Sequence, residues 1–145
     1  MPTEPTPPPV SGPLPAPARF DPDLVRGSLD LMVLSVLAAG PRYGLAVQHA
    51  LRTASGGRVE AGPGTLYPLL HRLEEDGLIA AEWSSVDPAG TPTAGTPGRR
   101  RKWYAVTDAG TARLTARAAD WYAFAEVLRG LLDGVADPAP VPGAA

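Results

Sequence analysis

The sequence predicts a mainly α-helical fold, a winged helix-turn-helix of three helices and a two-stranded β-wing, followed by a long C-terminal helix. Three observations predict it. Residues 62–79 combine a leucine face with a polar face, and two apolar helical segments precede them. An alternating strand with a cation-rich partner follows, and then an apolar seam at helical spacing. Apolar periods near 3.6 and 2 residues indicate helices and strands respectively.

Composition limits the class of protein. The chain has 145 residues, no cysteine and a formal net charge of −2. This length suits one domain with a modest core, and the absence of thiols excludes disulfides and thiolate zinc sites. Because the net charge is negative, any binding of DNA must use a local positive surface. With neither an apolar run of membrane-spanning length nor a signal-peptide core, we expect a cytoplasmic protein with no membrane contact.

Proline divides the chain into segments. Half of the 18 prolines lie within the first 22 residues, and others cluster near the C-terminus. Such composition is typical of chain that cannot bury a core. We expect a disordered arm over residues 1–22, the winged helix-turn-helix over residues 23–107, a dimerisation helix over residues 108–136 and a disordered tail over residues 137–145.

The first two helices are expected to form the scaffold. The first, over residues 23–39, is apolar on almost every side between Leu29 and Leu37. A helix of this kind is buried all round, and in so small a domain this suggests that a second subunit supplies part of the cover. The second helix is predicted over residues 43–53, with three inward candidates: Leu45, Val47 and Leu51.

The third predicted helix carries the candidate reading surface. Leucines at positions 66, 69, 70 and 73 form one buried face. Pro68 falls within this helix, which favours a start near Thr65 or a tight first turn. Groups on the opposite face can bind phosphates or base edges, and a merely solvated face is the alternative. The DNA-contact candidates are Gly64, Thr65, Tyr67, Pro68, His71 and Arg72.

The hairpin that follows is the predicted wing. Residues 78–84 alternate, with Ile79, Ala81 and Trp83 expected on the inner face. Residues 101–106 are the predicted partner strand, with Tyr104 and Val106 inward. The connection over residues 85–98 repeats Ala-Gly-Thr-Pro and lacks a phosphate-binding glycine pattern.

Four consecutive cations lie in this wing. In a chain without excess positive charge, their density beside the third helix favours binding to the DNA backbone. A solubilising charged segment is the alternative. The acidic residues 74–76 should repel phosphate, so that end of the third helix is expected to point away from DNA. The wing candidates are Arg99, Arg100, Arg101 and Lys102.

The last helix is predicted to join two subunits. Thr107 and Asp108 can cap its start, and it should run to about residue 133. Its apolar residues follow a 4-3-4-3-4 spacing, as in a coiled-coil seam. Packing against its own domain is the alternative, but a helix this long exceeds a small domain. The predicted dimer contacts are Leu29, Leu114, Ala118, Trp121, Ala125, Leu128 and Leu132.

The ordered motifs resemble those of PadR-type transcriptional regulators. They are Leu29-Asp30-Leu31, Tyr43-Gly44, residues 62–68, Arg72-Leu73-Glu74, Gly77-Leu78-Ile79, residues 99–104 and residues 107–110. The resemblance implies a homodimeric winged-helix repressor of double-stranded DNA, often relieved by a small aromatic or drug-like effector. It adds Tyr43 to the DNA-contact set. It also implies that Trp121, Tyr122 and Phe124 could stack a planar effector at the dimer centre.

The sequence leaves two other classes of function open, and neither is enzymatic. Enzymatic activity is not expected, because the two histidines lie on different predicted helices and no triad, paired-carboxylate or metal-ligand spacing is present. No cofactor or metal is expected either. A protein-interaction module could use the winged helix and its proline-rich tails. A small-molecule sensor with weak DNA affinity is the other alternative. The wing cations favour DNA binding.

Overall fold

The computed structural model describes residues 18–87, residue 90 and residues 100–135. Most of the predicted arm (residues 1–22), all of the predicted tail (residues 137–145) and Arg99 lie outside these residues. Eight elements follow one another in the described part of the chain. They are α1 (Pro22–Arg26), α2 (Leu29–Ala38), β1 (Arg42–Tyr43), α3 (Gly44–Ala54), α4 (Pro63–Glu75), β2 (Ile79–Ser84), β3 (Arg101–Val106) and α5 (Asp108–Leu132).

The predicted first helix is two helices. The Asp21 carboxylate accepts a hydrogen bond from the amide of Asp23 (2.8 Å), which caps the short α1. The chain then turns at Gly27 and Ser28, with φ −122° and ψ 0° at Ser28, before α2 begins. The prediction of one continuous helix over residues 23–39 is therefore wrong. Glycine and serine both favour helix ends over helix interiors, and this pair lies where the two apolar stretches meet.

The core forms around α2, which contacts α3, α5 and β3 within the same chain. Leu29, a predicted dimer contact, is only 7% exposed in the single chain, so its own domain already covers most of this side chain. The apolar character of α2 reflects cover by three elements of its own domain. The core residues are Leu29, Val33, Leu34, Leu37, Val47, Leu51, Ala61, Leu66, Leu69, Leu70, Leu73, Leu78, Ile79 and Tyr104.

The helix-turn-helix consists of α3, residues 55–62 and α4. Val47 and Leu51 are buried in α3 as predicted, but Leu45 points outward and is 48% exposed. In the connection, the Ser55 hydroxyl accepts a hydrogen bond from the amide of Val59 (2.9 Å). Val59 and Ala61 are both buried. The turn is thus anchored to the core immediately before α4 begins.

The start of α4 agrees with one of the two predicted arrangements, the tight first turn, and not with a start near Thr65. The helix begins at Pro63, so Pro68 lies inside it. Its first turn is tight, because the amide of Thr65 donates to the carbonyl of Gly62 at 3.0 Å, three residues back. A proline at the first helical position loses no helical hydrogen bond, whereas Pro68 leaves the Gly64 carbonyl without its usual donor.

The sheet has three antiparallel strands in the order β1-β3-β2, not two. Strands β2 and β3 pair over their whole length, from Ile79 opposite Val106 to Ser84 opposite Arg101. Tyr104 is buried and Val106 packs against the core, as predicted. Trp83 is 58% exposed, so its predicted inward position was wrong. It lies near the loop end of the hairpin, two residues beyond Ala81, which packs against the core.

Candidate nucleic-acid interface

Helix α4 presents a polar surface on the side away from the core. Its four leucines are at most 5% exposed. All six predicted contact residues on this helix are exposed: Gly64, Thr65, Tyr67, Pro68, His71 and Arg72. The sequence therefore placed the buried and exposed faces correctly. The exposed face is held in place by the packing of the leucines on the other side of the helix.

The N-terminal end of this face is open. No side chain covers Gly64, and a Cβ there would meet nothing within 4 Å. The amides of the first helical turn carry partial positive charge, which favours an anion such as a phosphate. At the other end, His71 and Glu75 are 3.1 Å apart and Arg72 is exposed. Within the described residues Arg72 forms no ion pair.

Tyr67 lies at the edge of this face, against α3. A Cβ at Gly44 would be 2.6 Å from Tyr67 Cε1 and 2.8 Å from its hydroxyl oxygen. The ring therefore rests on the backbone of the first residue of α3, yet remains 45% exposed. Tyr67 thus separates the two helices while almost half of its side chain stays exposed.

An aromatic pair packs where β1 meets β3. The rings of Tyr43 and Trp103 meet edge to face, with centroids 5.3 Å apart. The Arg101 guanidinium carbon lies 4.5 Å from the centre of the Tyr43 ring. These contacts connect β1 with β3 and partly bury both predicted DNA-contact residues, Tyr43 and Arg101. Arg100, the preceding cation, is exposed.

Lys102 faces the opposite side of the wing. Its ammonium nitrogen is 3.3 Å from Glu74 Oε2, which joins the wing to the last turn of α4. Tyr104 lies on the same face, and burial raises the pKa of its phenol above the ordinary value. Glu74 also raises the pKa of Tyr104, whereas Lys102 opposes the shift. The four predicted wing cations therefore do not form a uniform row.

The C-terminal half of α5 carries a large apolar surface. Its N-terminal half contacts the domain: Leu114 packs against the core, and Arg117 forms an ion pair with Asp30 (3.1 Å). The Trp121 indole N–H donates to the Ser28 hydroxyl at 3.2 Å. Beyond this point the large apolar side chains are 40–73% exposed: Trp121, Tyr122, Phe124, Val127, Leu128, Leu131 and Leu132.

These exposed residues do not all share one face. At 3.6 residues per turn, Trp121, Leu128 and Leu132 project from one side of α5, with Phe124 beside them. Tyr122 projects about a quarter-turn away from Trp121, so the predicted aromatic trio does not form one surface. Ala118 and Ala125 lie on the seam side and are half-buried.

Sequence reasoning missed an anchor at the N-terminal side of the domain. The Phe20 amide donates to the Arg58 carbonyl (2.9 Å), and the Arg58 guanidinium lies 3.9 Å from the centre of the Phe20 ring. Arg19 forms an ion pair with Glu60. Local periodicity gives no signal for such contacts. They form one wall of a cavity of about 730 Å³ that also reaches Thr65, Pro68 and Arg72 of α4.

The arrangement is similar to known regulators. Residues 33–116 match the family model described as the transcriptional regulator PadR-like family. The transcriptional regulator Rv3488 of Mycobacterium tuberculosis is 46% identical over 72 residues, which cover 50% of this chain and 55% of that protein.

Solved structures share the fold. A PadR family transcriptional regulator from Eggerthella lenta has 33% identity and a TM-score of 0.63, covering 77% of this chain and 88% of that one. A transcriptional regulator from Clostridium thermocellum aligns with a TM-score of 0.66 at 24% identity, covering 79% of this chain and 99% of its own. No helix in the described part is long and apolar enough to cross a membrane. With more than half of its length matched by the family model, this chain belongs to the PadR-like family of transcriptional regulators.

Proposed function

We propose that this chain acts as a homodimeric repressor that binds an inverted repeat in double-stranded DNA. One α4 from each protomer enters the major groove, and the two half-sites lie roughly one helical turn apart. The observation that carries the proposal is the exposed polar face of α4, held beside the wing cations in a chain whose net charge is −2. Arg72 of α4 and Arg100 of the wing supply exposed positive charge to this surface.

The residues on α4 have different roles in this proposal. Thr65 and the open first turn around Gly64 bind a phosphate, because small groups there allow the backbone to approach closely. Arg72 reaches a base edge or a second phosphate, since a guanidinium can form two parallel hydrogen bonds with guanine. Phosphate contacts set the position of the protein on the duplex, and base contacts give sequence specificity.

The apolar surface of α5 supports the dimer. Large apolar side chains that are exposed together on one side of a helix mark sites of association. The helix extends about 37 Å at 1.5 Å per residue, and only its N-terminal half is covered by its own domain. The seam of Trp121, Leu128 and Leu132 is proposed to pack against the same helix of a second copy, as in a coiled coil.

The DNA-binding mode is tested by removing one arginine at a time. Arg72→Ala should weaken binding to an operator fragment at least about tenfold, the scale of a lost bidentate contact. Arg100→Ala should flatten the salt dependence by about 0.9 on the log–log slope, as for one lost phosphate. Arg129→Ala, in the last turn of α5, is the matched control. Fluorescence anisotropy across a salt series measures both, and three indistinguishable variants would remove α4 and the wing from the interface.

The repressor assignment has its own assay. Transcription in vitro from a promoter that contains the operator should fall as the protein is added, because a dimer on the promoter competes with the polymerase. The fall should be absent from a template with a scrambled operator. Transcription that rises instead would make the protein an activator.

A small aromatic effector is a second part of the proposal. Trp121 lies in the proposed dimer seam and Phe124 beside it, and two copies would bring four exposed aromatic rings together. A planar ligand releases DNA only if it binds the DNA-incompetent arrangement more tightly. Trp121→Ala should then abolish release by planar aromatic compounds while DNA binding persists. Normal release from this variant would restrict Trp121 to packing.

A further inference from the structure

Lys102 differs from the cations around it in the direction of its side chain. Successive side chains of a strand point to opposite faces. Lys102 therefore shares a face with the buried Tyr104, whereas Arg101 shares a face with Trp103. The Lys102 ammonium nitrogen lies 5.5 Å from the centre of the Tyr104 ring and 3.3 Å from Glu74 Oε2. It points toward the last turn of α4.

Glu74 depends on this ammonium. Its Oε2 atom is shielded from solvent and has no hydrogen-bond partner in the described part of the chain, although the whole side chain is 35% exposed. A shielded carboxylate oxygen without compensation is unfavourable. The electrostatic contact with Lys102 is therefore the compensation that the described residues supply. A phosphate that approached Lys102 would compete with Glu74 for its ammonium group.

We infer that Lys102 is a positioning residue that fixes the wing against α4 through Glu74, and that it is not a phosphate contact. The inference rests on the proposed DNA-binding mode, in which α4 and the wing touch DNA at separate places. Both bind at the lowest cost when their relative orientation is set beforehand, because preorganisation improves affinity by lowering the ordering cost. The structure gives this role to an ion pair that joins the two elements.

A charge exchange distinguishes positioning from contact. Lys102→Glu should weaken binding to a DNA fragment selected with the wild type, because two carboxylates would then face each other. The double variant Glu74→Lys/Lys102→Glu restores an ion pair in reverse and should recover affinity to within about threefold of the wild type, since a partly exposed pair contributes modestly. The control is Glu75→Lys/Lys102→Glu, which has the same net charge but no partner for position 102.

Recovery by the exchange alone supports the inference. If the exchanged variant binds as weakly as Lys102→Glu, Lys102 touches the phosphate backbone and the inference is wrong. Equal recovery in the control double would attribute the effect to net charge, which also overturns it. Lys102→Met adds a second criterion: its salt slope should equal that of the wild type, whereas a lost phosphate contact lowers the slope by about 0.9.

A measurement without DNA separates this inference from the proposed function. Hydrogen exchange of the amides in β2 and β3 should be faster in Lys102→Met and Glu74→Gln than in the wild type, and slower again in the exchanged double variant. Circular dichroism of each variant checks that it is folded. If the wild type binds no DNA while the variants still show the expected hydrogen-exchange changes, the proposed function fails, but the positioning role of Lys102 stands. If hydrogen exchange in β2 and β3 is the same in the variants as in the wild type, Lys102 has no positioning role, whatever the DNA-binding measurements show.

Discussion

Individual residues explain motifs that the sequence shows only as letters. The Thr107 hydroxyl donates to the Gly77 carbonyl (2.7 Å) and accepts from the Gly110 amide (3.0 Å), so it joins the start of the wing to the start of α5. A Cβ at Gly110 would overlap the Leu78 carbonyl oxygen and lie 2.7 Å from Val106 Cγ2. Residues 107–110 therefore set the angle at which α5 leaves the domain.

We predict that Gly110→Ala destabilises the fold by about 3 kcal/mol or more, above the usual range for overpacking, because the added methyl group meets backbone. Gly130→Ala on the same helix is the matched control, since a Cβ there has nothing within 4 Å. It should stabilise the helix by about 0.5–1 kcal/mol. Urea unfolding at equal protein concentration measures both. Equal stability of the two variants would show that the close approach is absent.

Gly44 shows the same principle within the helix-turn-helix. The Tyr67 ring occupies the space where any side chain at this position would be. Tyr67 is therefore not only the DNA-contact candidate that the sequence indicated, because it also separates α3 from α4. Loss of operator affinity in a Tyr67 variant would combine both roles, which is why Arg72 is the cleaner probe of base reading.

At the scale of elements, the N-terminal anchor supports the turn before α4. Residues 18–20 contact residues 58–60 through the Phe20–Arg58 and Arg19–Glu60 contacts. Those residues connect α3 to α4 and have no regular structure of their own. These contacts thus fix residues 58–60, which lie shortly before the N-terminal end of α4.

We predict that Phe20→Ala speeds hydrogen exchange in residues 55–62 and weakens operator binding by about two- to fivefold, because the turn is less well ordered in the free protein. The control is Leu24→Ala in α1, which truncates a side chain that is 66% exposed. Exchange that does not change in residues 55–62 would show that the anchor has no effect on the turn.

The elements predicted well are those whose periodicity reports burial. The leucine face of α4 and the pairing of β2 with β3 are confirmed, because each buries one side in a regular pattern. Strand β1 was missed, since two residues carry no period. The division between α1 and α2 was overlooked, although Gly27 and Ser28 favour helix ends. The burial of Leu29 and the pairing of Lys102 with Glu74 depend on tertiary contacts. Local sequence does not encode these partners.

At the scale of the whole molecule, the proposed dimer determines how the protein reads DNA. A monomer would hold one half-site, with only the phosphate and base contacts of one α4 and one wing. When two DNA-binding domains are linked in a dimer, binding of the first raises the effective concentration of the second at its half-site. The second half-site is then occupied far more readily than by a separate monomer. In the proposed dimer, the exposed seam of α5 is therefore expected to matter for affinity as much as the proposed DNA contacts.

We predict that Leu128→Asp produces a monomer, because a carboxylate at a buried seam position has no partner and loses its hydration. Operator binding should fall by about a hundredfold, the lower scale of a lost bivalent contact. Ala123→Asp introduces the same charge on the far side of α5 and should remain dimeric. Sedimentation velocity gives the oligomeric state, and anisotropy gives the affinity. A dimeric Leu128→Asp protein would place the interface elsewhere.

The central claim is that two copies of this chain read an inverted repeat, one α4 to each half-site. Selection of binding sites from random double-stranded DNA, followed by measurement of the protein-to-DNA ratio on the selected site, tests it most directly. The account predicts two half-sites in inverted orientation, with centres about 10 base pairs apart, and two protein chains for each duplex. A single asymmetric site occupied by one chain, or no sequence enrichment, would contradict it.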